Sequence, residues 1–155
     1  MKIVIMFLSL IFSAGSISCT CIGVNSVKEE INGSDIVVIG TVVSKSYEKF
    51  VDSTLASYEK DISLFKYSLA VEKKYKGRIT KDTISIYTGP SGGSCGNNFE
   101  IGEKYIIYGF KKTYYQRSIK ILPKGKNIFW THKCTRTTRY FEEEEKQIEK
   151  YRSKK

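Results

Sequence analysis

The positions of four cysteines constrain the fold of this 155-residue chain more than any other feature. Cys19 and Cys21 are two residues apart, so in an extended segment their side chains share one face and are poorly placed to pair with each other. Cys95 and Cys134 are isolated along the chain. Two connectivities therefore remain open: Cys19–Cys95 with Cys21–Cys134, or the crossed alternative. Either closes loops of roughly 75 to 115 residues, which stabilises the fold by restricting the unfolded chain.

A zinc site is the alternative use of four cysteines. A Cys-x-Cys pair followed by two isolated cysteines is a weak match to the spacing of zinc ligands. The chain also has a single histidine, His132. The pattern therefore favours disulfides, and we expect no resident metal and no cofactor.

The first 18 residues have the pattern of a secretory signal peptide. Lys2 precedes an apolar run at residues 3–12, and Ser16 and Ser18 supply small residues at the −3 and −1 positions of a cleavage site. The run is too short to span a bilayer comfortably. We therefore expect Cys19 to be the first residue of a secreted protein, which would be periplasmic or on the cell surface in a bacterium. A lipoprotein acylated at Cys19 is the alternative.

The rest of the chain predicts a mainly β fold. Segments rich in β-branched and aromatic residues predict strands at residues 35–44, 65–71, 83–87, 105–110, 118–122 and 127–131. Ser26 and Glu29 form a capping-box pattern that begins a short helix, and Asn32-Gly33 ends it. Gly40 inside the first strand predicts a bulge or a sharp coil of the strand. Five or more short strands suggest a small closed barrel, although periodicity alone does not separate a barrel from a sandwich.

Two segments are predicted to be polar and exposed. Residues 45–60 are mixed in character and predict an exposed hairpin loop. Residues 141–155 predict a charged C-terminal tail that carries a solvated helix at 142–151. In that helix acidic residues come first and basic residues last, which suits the helix dipole.

Several motifs, in their order along the chain, resemble the tissue inhibitors of metalloproteinases and the wider netrin-like modules. These motifs are Cys19-Thr20-Cys21, residues 34–43, Lys74-Tyr75-Lys76-Gly77, Ser94-Cys95-Gly96 with Phe99, residues 102–108, and Cys134-Thr135-Arg136-Thr137. The resemblance covers most of residues 19–140. It implies a five-stranded OB-fold barrel with flanking short helices and a C-terminal helix. It also implies the pairing Cys19–Cys95 and Cys21–Cys134.

The resemblance further implies a function for the N-terminus. The free amine and the carbonyl of Cys19 would chelate the catalytic zinc of a target protease, in trans only, and displace its water. Thr20 would occupy the adjacent specificity pocket. The binding ridge would consist of Cys19, Thr20, Cys21, Ile22, Gly23, Ser94 and Cys95. The animal inhibitors have more cysteines than this chain. They also commonly have proline where this chain has Gly23, and for that reason we expect a looser ridge here.

A basic block is the other marked feature of a chain whose formal net charge is +10. Residues 104–141 contain Lys and Arg but no Asp or Glu, and aromatic residues are interleaved. A solvated basic face explains this pattern. Binding of an anionic glycan or an envelope surface is the functional alternative, whereas nucleic acid is a less available partner for an exported protein. The alternative function is thus a non-inhibitory extracellular netrin-like module that binds an anionic glycan, a surface or a protein.

No pattern in the chain predicts catalysis. No Ser–His–Asp set can be argued around His132, and no P-loop or dinucleotide-binding motif is present. We therefore expect a monomeric inhibitor of zinc metalloendopeptidases that is not an enzyme.

Overall fold

The computed structural model describes residues 21, 23, 25–51, 61–91, 95–112 and 122–153. The predicted signal peptide and the predicted site residues Cys19, Thr20, Ile22 and Ser94 lie outside these residues. Within them the elements, in chain order, are α1 (Val27–Gly33), β1 (Ile36–Val51), β2 (Asp61–Lys76), β3 (Thr83–Thr88), β4 (Lys104–Gly109), β5 (Ile128–Trp130), β6 (Thr138–Arg139) and α2 (Glu142–Arg152). The protein is therefore mainly β with a C-terminal helix, as the sequence predicts.

The short helix α1 begins at the predicted capping box. The backbone N–H of Glu29 donates to the Ser26 hydroxyl at 3.3 Å, and the Ser26 N–H donates to the Glu29 carboxylate at 2.8 Å. The helix ends at Gly33, and the Lys76 ammonium donates to the carbonyl oxygens of Ile31 and Asn32. A cation at this end stabilises the helix because the carboxyl terminus carries the negative end of the dipole.

The six strands form one sheet with the order β5-β3-β2-β1-β4-β6. Neighbouring strands are antiparallel except for β3 and β5, which are parallel. Phe110 and Trp130 form an isolated bridge with backbone hydrogen bonds of 2.9 and 2.8 Å, which brings the end of β4 next to β5. The strand ladder itself has β5 and β6 at its edges, so a closed barrel is not shown.

The first two strands are longer than predicted. The sequence predicts a loop over residues 45–60, but β1 and β2 continue as paired strands from Lys45↔Tyr67 to Val51↔Asp61. Cross-strand contacts stabilise this extension, among them the edge-to-face pair of Tyr47 and Phe65, with ring centroids 5.4 Å apart. The prediction was wrong for residues 45–51 because much of the extension is exposed and its polar residues have the composition of a loop. Residues 52–60 lie outside the described ranges.

The first half of β1 is buried on both faces of the sheet. Ile36 and Val38 belong to a core cluster that contains side chains from β2, β3, β4 and β5. Val37 and Ile39 belong to a second cluster, formed with both helices. At Gly40 an added Cβ would lie 2.3 Å from the carbonyl oxygen of Ala70, and the pairing register shifts there. The predicted irregularity at Gly40 is confirmed as a register shift, although the extra residue, Glu72, is on β2. The position requires glycine because the neighbouring backbone is so close.

The C-terminal helix α2 packs against the sheet rather than standing in solvent. Ile148 is fully buried and contacts the cluster that α1 also covers. Glu144 and Glu145 are 1% and 7% exposed, so the prediction of a solvated helix was wrong for this face. The Glu145 carboxylate accepts hydrogen bonds from Lys73 and Tyr75, both at 2.5 Å, and from Tyr140 at 2.7 Å. No helix within the described ranges is long and apolar enough to cross a membrane.

Glu145→Gln tests how much these bonds stabilise the fold. The pKa of the Glu145 carboxyl is lowered to about 2. The main cause is the hydrogen bond from Lys73, followed by the hydrogen bond from Tyr75. A carboxyl with a lowered pKa stabilises the folded state above its unfolded pKa, and this stabilisation is lost as the pH falls toward the folded pKa. Since Lys73 is exposed and partly screened, we expect the substitution to lower the free energy of unfolding by about 1–2 kcal/mol at pH 7. The difference should disappear between about pH 5 and pH 2.

Urea unfolding at a series of pH values measures this effect. Glu142→Gln is the matched control, because Glu142 is on the same helix but exposed, in an ion pair with Lys146. The free energy of unfolding of the control should match that of the parent at every pH. A Glu145→Gln protein with the parent's pH dependence would contradict the assignment.

Candidate functional site

A disulfide joins the N-terminal segment to the loop after β5. Cys21 and Cys134 are bonded, with their Cα atoms 5.2 Å apart and a sequence separation of 113. This is the pairing that the resemblance implies, and it excludes the crossed connectivity. Cys95 is disulfide-bonded as well. The first described residue of the chain is therefore covalently attached to the loop between β5 and β6.

The segment around Cys95 follows β3 and is held close to that strand. Cys95 itself has a positive φ of 54°. The next two residues anchor the turn: the Gly96 N–H donates to the carbonyl oxygen of Pro90 at 3.1 Å, and the Asn97 N–H donates to the Thr88 hydroxyl at 2.9 Å. A Cβ at Gly96 would lie 1.7 Å from the carbonyl oxygen of Gly89. This close backbone approach explains why glycine follows the cysteine.

The Cys95 segment and the Cys134 loop meet directly. The Lys133 N–H donates to the carbonyl oxygen of Cys95 at 2.8 Å. The contact follows from the sheet topology, because β3 and β5 are parallel neighbours and both segments leave the same end of the sheet. Cys21, Cys95 and Cys134 thus come together at this end, which we call the disulfide end.

A buried network of hydroxyl groups supports the disulfide end. The Thr131 hydroxyl lies 3.1 Å from that of Thr135 and 2.9 Å from that of Thr137, and the Asn97 amide donates to it at 3.4 Å. Thr131, Thr135 and Asn97 are all buried. The Thr137 hydroxyl also accepts the Tyr108 N–H at 3.0 Å, which connects the network to β4. The sequence motif Cys134-Thr135-Arg136-Thr137 contains part of this network, but sequence analysis assigned no role to its threonines.

Arg136 connects the Cys134 loop to both helices. Its guanidinium donates to the carbonyl oxygen of Asn25, just before α1, at 3.0 Å, and to the buried carboxylate of Glu144 in α2. The hydrogen bond to Glu144 is the main cause that raises the pKa of Arg136. Tyr108 donates to the same carboxylate at 2.8 Å. The charge of Glu144 is therefore paired and fully hydrogen-bonded, as a buried carboxylate requires.

His132 is exposed and lies two residues after the end of β5. Its Nδ1 accepts the N–H of Cys134 at 3.2 Å, and its ring stacks on Phe110 with a centroid separation of 6.2 Å. These contacts give it a structural role in the Cys134 loop. Across the described residues, no group of three or more His, Cys, Asp and Glu side chains is placed to hold a metal ion.

Three residues of the predicted ridge are described, namely Cys21, Gly23 and Cys95. Gly23 is exposed, and a Cβ there would have no heavy atom within 4 Å. Its φ of +72° lies in the region that favours glycine and that proline cannot adopt. The backbone therefore explains why this chain has glycine where the animal inhibitors commonly have proline.

Comparison with known families agrees with this geometry. Residues 17–122 match the model of the family described as tissue inhibitor of metalloproteinase. No curated protein matches the chain. The match covers more than half of the sequence and includes the Cys-Thr-Cys motif and Cys95, while the Cys21–Cys134 bond ties the segment beyond residue 122 to the same domain. The chain therefore belongs to the tissue inhibitor of metalloproteinase family, whose members are inhibitors rather than enzymes.

Proposed function

We propose that this protein is a secreted inhibitor of zinc metalloendopeptidases that binds the catalytic zinc of its target through Cys19. The observation that carries the proposal is the disulfide end, where the Cys21–Cys134 bond and the Lys133–Cys95 hydrogen bond bring together the segments that the family resemblance places in the ridge. Membership of the inhibitor family supports the same reading.

The cysteine count supports a second disulfide, formed by Cys19. Cys21 and Cys134 are bonded to each other, and Cys95 is also disulfide-bonded. Of the four cysteines in the chain, Cys19 is then the partner left for Cys95 within one molecule. Two bridges on adjacent segments would hold the N-terminus rigid before it meets a protease. Such preorganisation strengthens binding, because less conformational entropy is lost on association.

The chemistry of an N-terminal residue suits a metal with an open coordination position. The amine nitrogen and the carbonyl oxygen of Cys19 would form a five-membered chelate and displace the water of the protease zinc. The amine must be neutral to bind, and the ordinary pKa of about 7.7–8.0 makes this inexpensive near neutral pH. Thr20 would fill the adjacent pocket, with Cys21, Ile22 and Gly23 along the cleft and Ser94 and Cys95 beside them.

Export is part of the proposal. Disulfides persist in oxidising compartments, and proteins of this family are typically secreted. The signal-peptide pattern of residues 1–18 would supply the route and leave Cys19 with a free amine. The closed OB-fold barrel expected from the resemblance is also proposed, with the Phe110–Trp130 bridge as the place of closure.

Adding one alanine before Cys19 tests the chelate. The extension would move the amine away from the metal and leave an amide in its place, so we expect the inhibition constant for a sensitive zinc endopeptidase to rise by about 100-fold or more. The fold should not change, since the extension adds one residue to the end of the chain. Titration of a panel of zinc endopeptidases with mass-verified proteins measures the effect.

The matched control carries one alanine after Lys155 and should inhibit like the parent. Full inhibition by the N-extended protein would contradict the chelate mechanism. If the parent, with Cys19 as its first residue and both disulfides intact, inhibited no member of the panel, the non-inhibitory binding module would be the better reading.

Gly96→Ala tests whether the Cys95 segment must keep its position. The added Cβ would be too close to the carbonyl oxygen of Gly89, so the segment has to shift and Cys95 with it. We expect inhibition to weaken by about tenfold or more, measured at a temperature where thermal unfolding shows the variant to be folded. Gly33→Ala is the control, because a Cβ at Gly33 meets nothing within 4 Å. A Gly96→Ala protein as potent as the parent would show that this segment does not contribute to the ridge.

A further inference from the structure

The described cations of the basic block do not all lie on one surface. Lys104 is ion-paired with Glu72 at 2.5 Å, and Arg136 and Arg139 are paired with acidic residues. Other cations of the block lie at the end of the sheet where β5 begins, and they are not ion-paired with described residues. Lys124 and Lys126 lie in the turn before β5, and both are exposed. Among the described residues of the block, Lys104, Arg136 and Arg139 are thus ion-paired, whereas Lys124 and Lys126 are exposed and not ion-paired.

Two turns meet at this second end of the sheet. β2 ends, and β3 and β5 begin, on the same side, because β3 is antiparallel to β2 and parallel to β5. The Thr80 N–H donates to the side-chain oxygen of Asn127 at 2.8 Å, and the Asn127 amide donates to the Thr80 hydroxyl at 2.8 Å. This pair of bonds joins the β2–β3 turn, which carries Arg78 and Lys81, to the turn before β5.

Lys111 fixes the geometry of the second turn. Its ammonium donates to the carbonyl oxygens of Gly125 and Lys126 at 2.8 and 2.5 Å. The same ammonium lies 3.8 Å from the centroid of the Phe129 ring. The turn that carries Lys124 is therefore held in place by contacts within the protein. Less conformational entropy of the turn would be lost when a ligand binds.

We call the exposed side chains of Arg78, Lys81, Lys124 and Lys126 the basic end. None of these four forms an ion pair with any residue that the structure describes. The acidic residues beside them are Asp82, in the β2–β3 turn, and Asp35, whose carboxylate accepts the N–H of Lys111 at 2.7 Å. The basic end therefore keeps an excess of positive charge.

We propose that the basic end binds a linear anionic polysaccharide. The exposed large hydrophobic side chains of the described residues, such as Val43, Tyr47 and Ile101, lie in other parts of the molecule. A folded protein partner would need an apolar centre to its interface, whereas a flexible polyanion needs spaced cations and binds by releasing counterions. The chemistry of the surface fits the polyanion.

The basic end and the disulfide end are at opposite ends of the sheet. β3 and β5 begin at the basic end, and the segments that carry Cys95 and Cys134 follow their carboxyl ends. A polysaccharide at the basic end would leave the proposed ridge free, so glycan binding and protease inhibition would be independent. The proposal therefore does not rest on the inhibitory function.

Chromatography on heparin at increasing NaCl concentration tests the proposal. The test protein carries Arg78→Gln, Lys81→Gln, Lys124→Gln and Lys126→Gln. The control carries Lys49→Gln, Lys104→Gln, Arg139→Gln and Lys146→Gln, which removes the same charge from exposed side chains that are ion-paired. We expect the parent and the control to be retained at physiological salt and the test protein to elute early. The plot of the logarithm of the heparin association constant against the logarithm of the salt concentration has a negative slope. Relative to the parent, the magnitude of this slope should decrease by about three for the test protein and by less than one for the control.

The outcomes separate the proposal from its alternatives. Equal loss of retention by both variants would show that net charge alone acts, and free elution of the parent at physiological salt would overturn the proposal. Tighter binding of the parent to anionic vesicles or to a single-stranded oligonucleotide than to heparin would overturn the polysaccharide as the ligand. Thermal unfolding checks that both variants are folded. If the quadruple variant does not fold, Lys124→Gln with Lys126→Gln is compared with Lys104→Gln with Arg139→Gln in the same way.

Discussion

The disulfide between Cys21 and Cys134 is the constraint on which the functional end of this protein depends. It ties the N-terminal segment to a loop 113 positions later, and in the chain-entropy description a loop of this size contributes about 4–5 kcal/mol. The bond alone would leave the Cys134 loop free to move. The Lys133–Cys95 hydrogen bond and the buried hydroxyls around Thr131 hold that loop against the segment after β3. The covalent bond and the polar network therefore act together.

Buried carboxylates in α2 extend this support to the rest of the domain. Glu144 accepts from Arg136, two residues after Cys134, and Glu145 accepts from Lys73 and Tyr75 on β2. An unpaired buried charge is costly, and a paired one fixes relative positions. The helix is attached in this way to the loop that carries a half-cystine and to the sheet. A substitution in α2 can thus affect the disulfide end without touching it.

Parallel pairing of β3 and β5 gives the molecule two ends with different chemistry. Both strands begin beside the cations of the basic end and finish beside the cysteines. At the disulfide end, Arg136 is paired with the buried Glu144 carboxylate, and Lys133 is exposed. At the basic end, four cations are exposed together. This strand arrangement therefore places the proposed ridge and the proposed polyanion-binding surface at different ends of the same sheet.

The sequence by itself determined the features that depend on local chemistry. The capping box at Ser26, the bulge at Gly40 and the cysteine motifs of the family could be predicted, because each depends on a residue type at a fixed spacing. The tertiary structure decided which polar residues are exposed. The strands continue through residues 45–51 because β2 pairs with β1 along this stretch. Glu145 is buried because its partners Lys73 and Tyr75 come from a distant segment. The basic block was divided in the same way, since pairing with Glu72 or solvent exposure follows from sheet topology rather than from order along the chain.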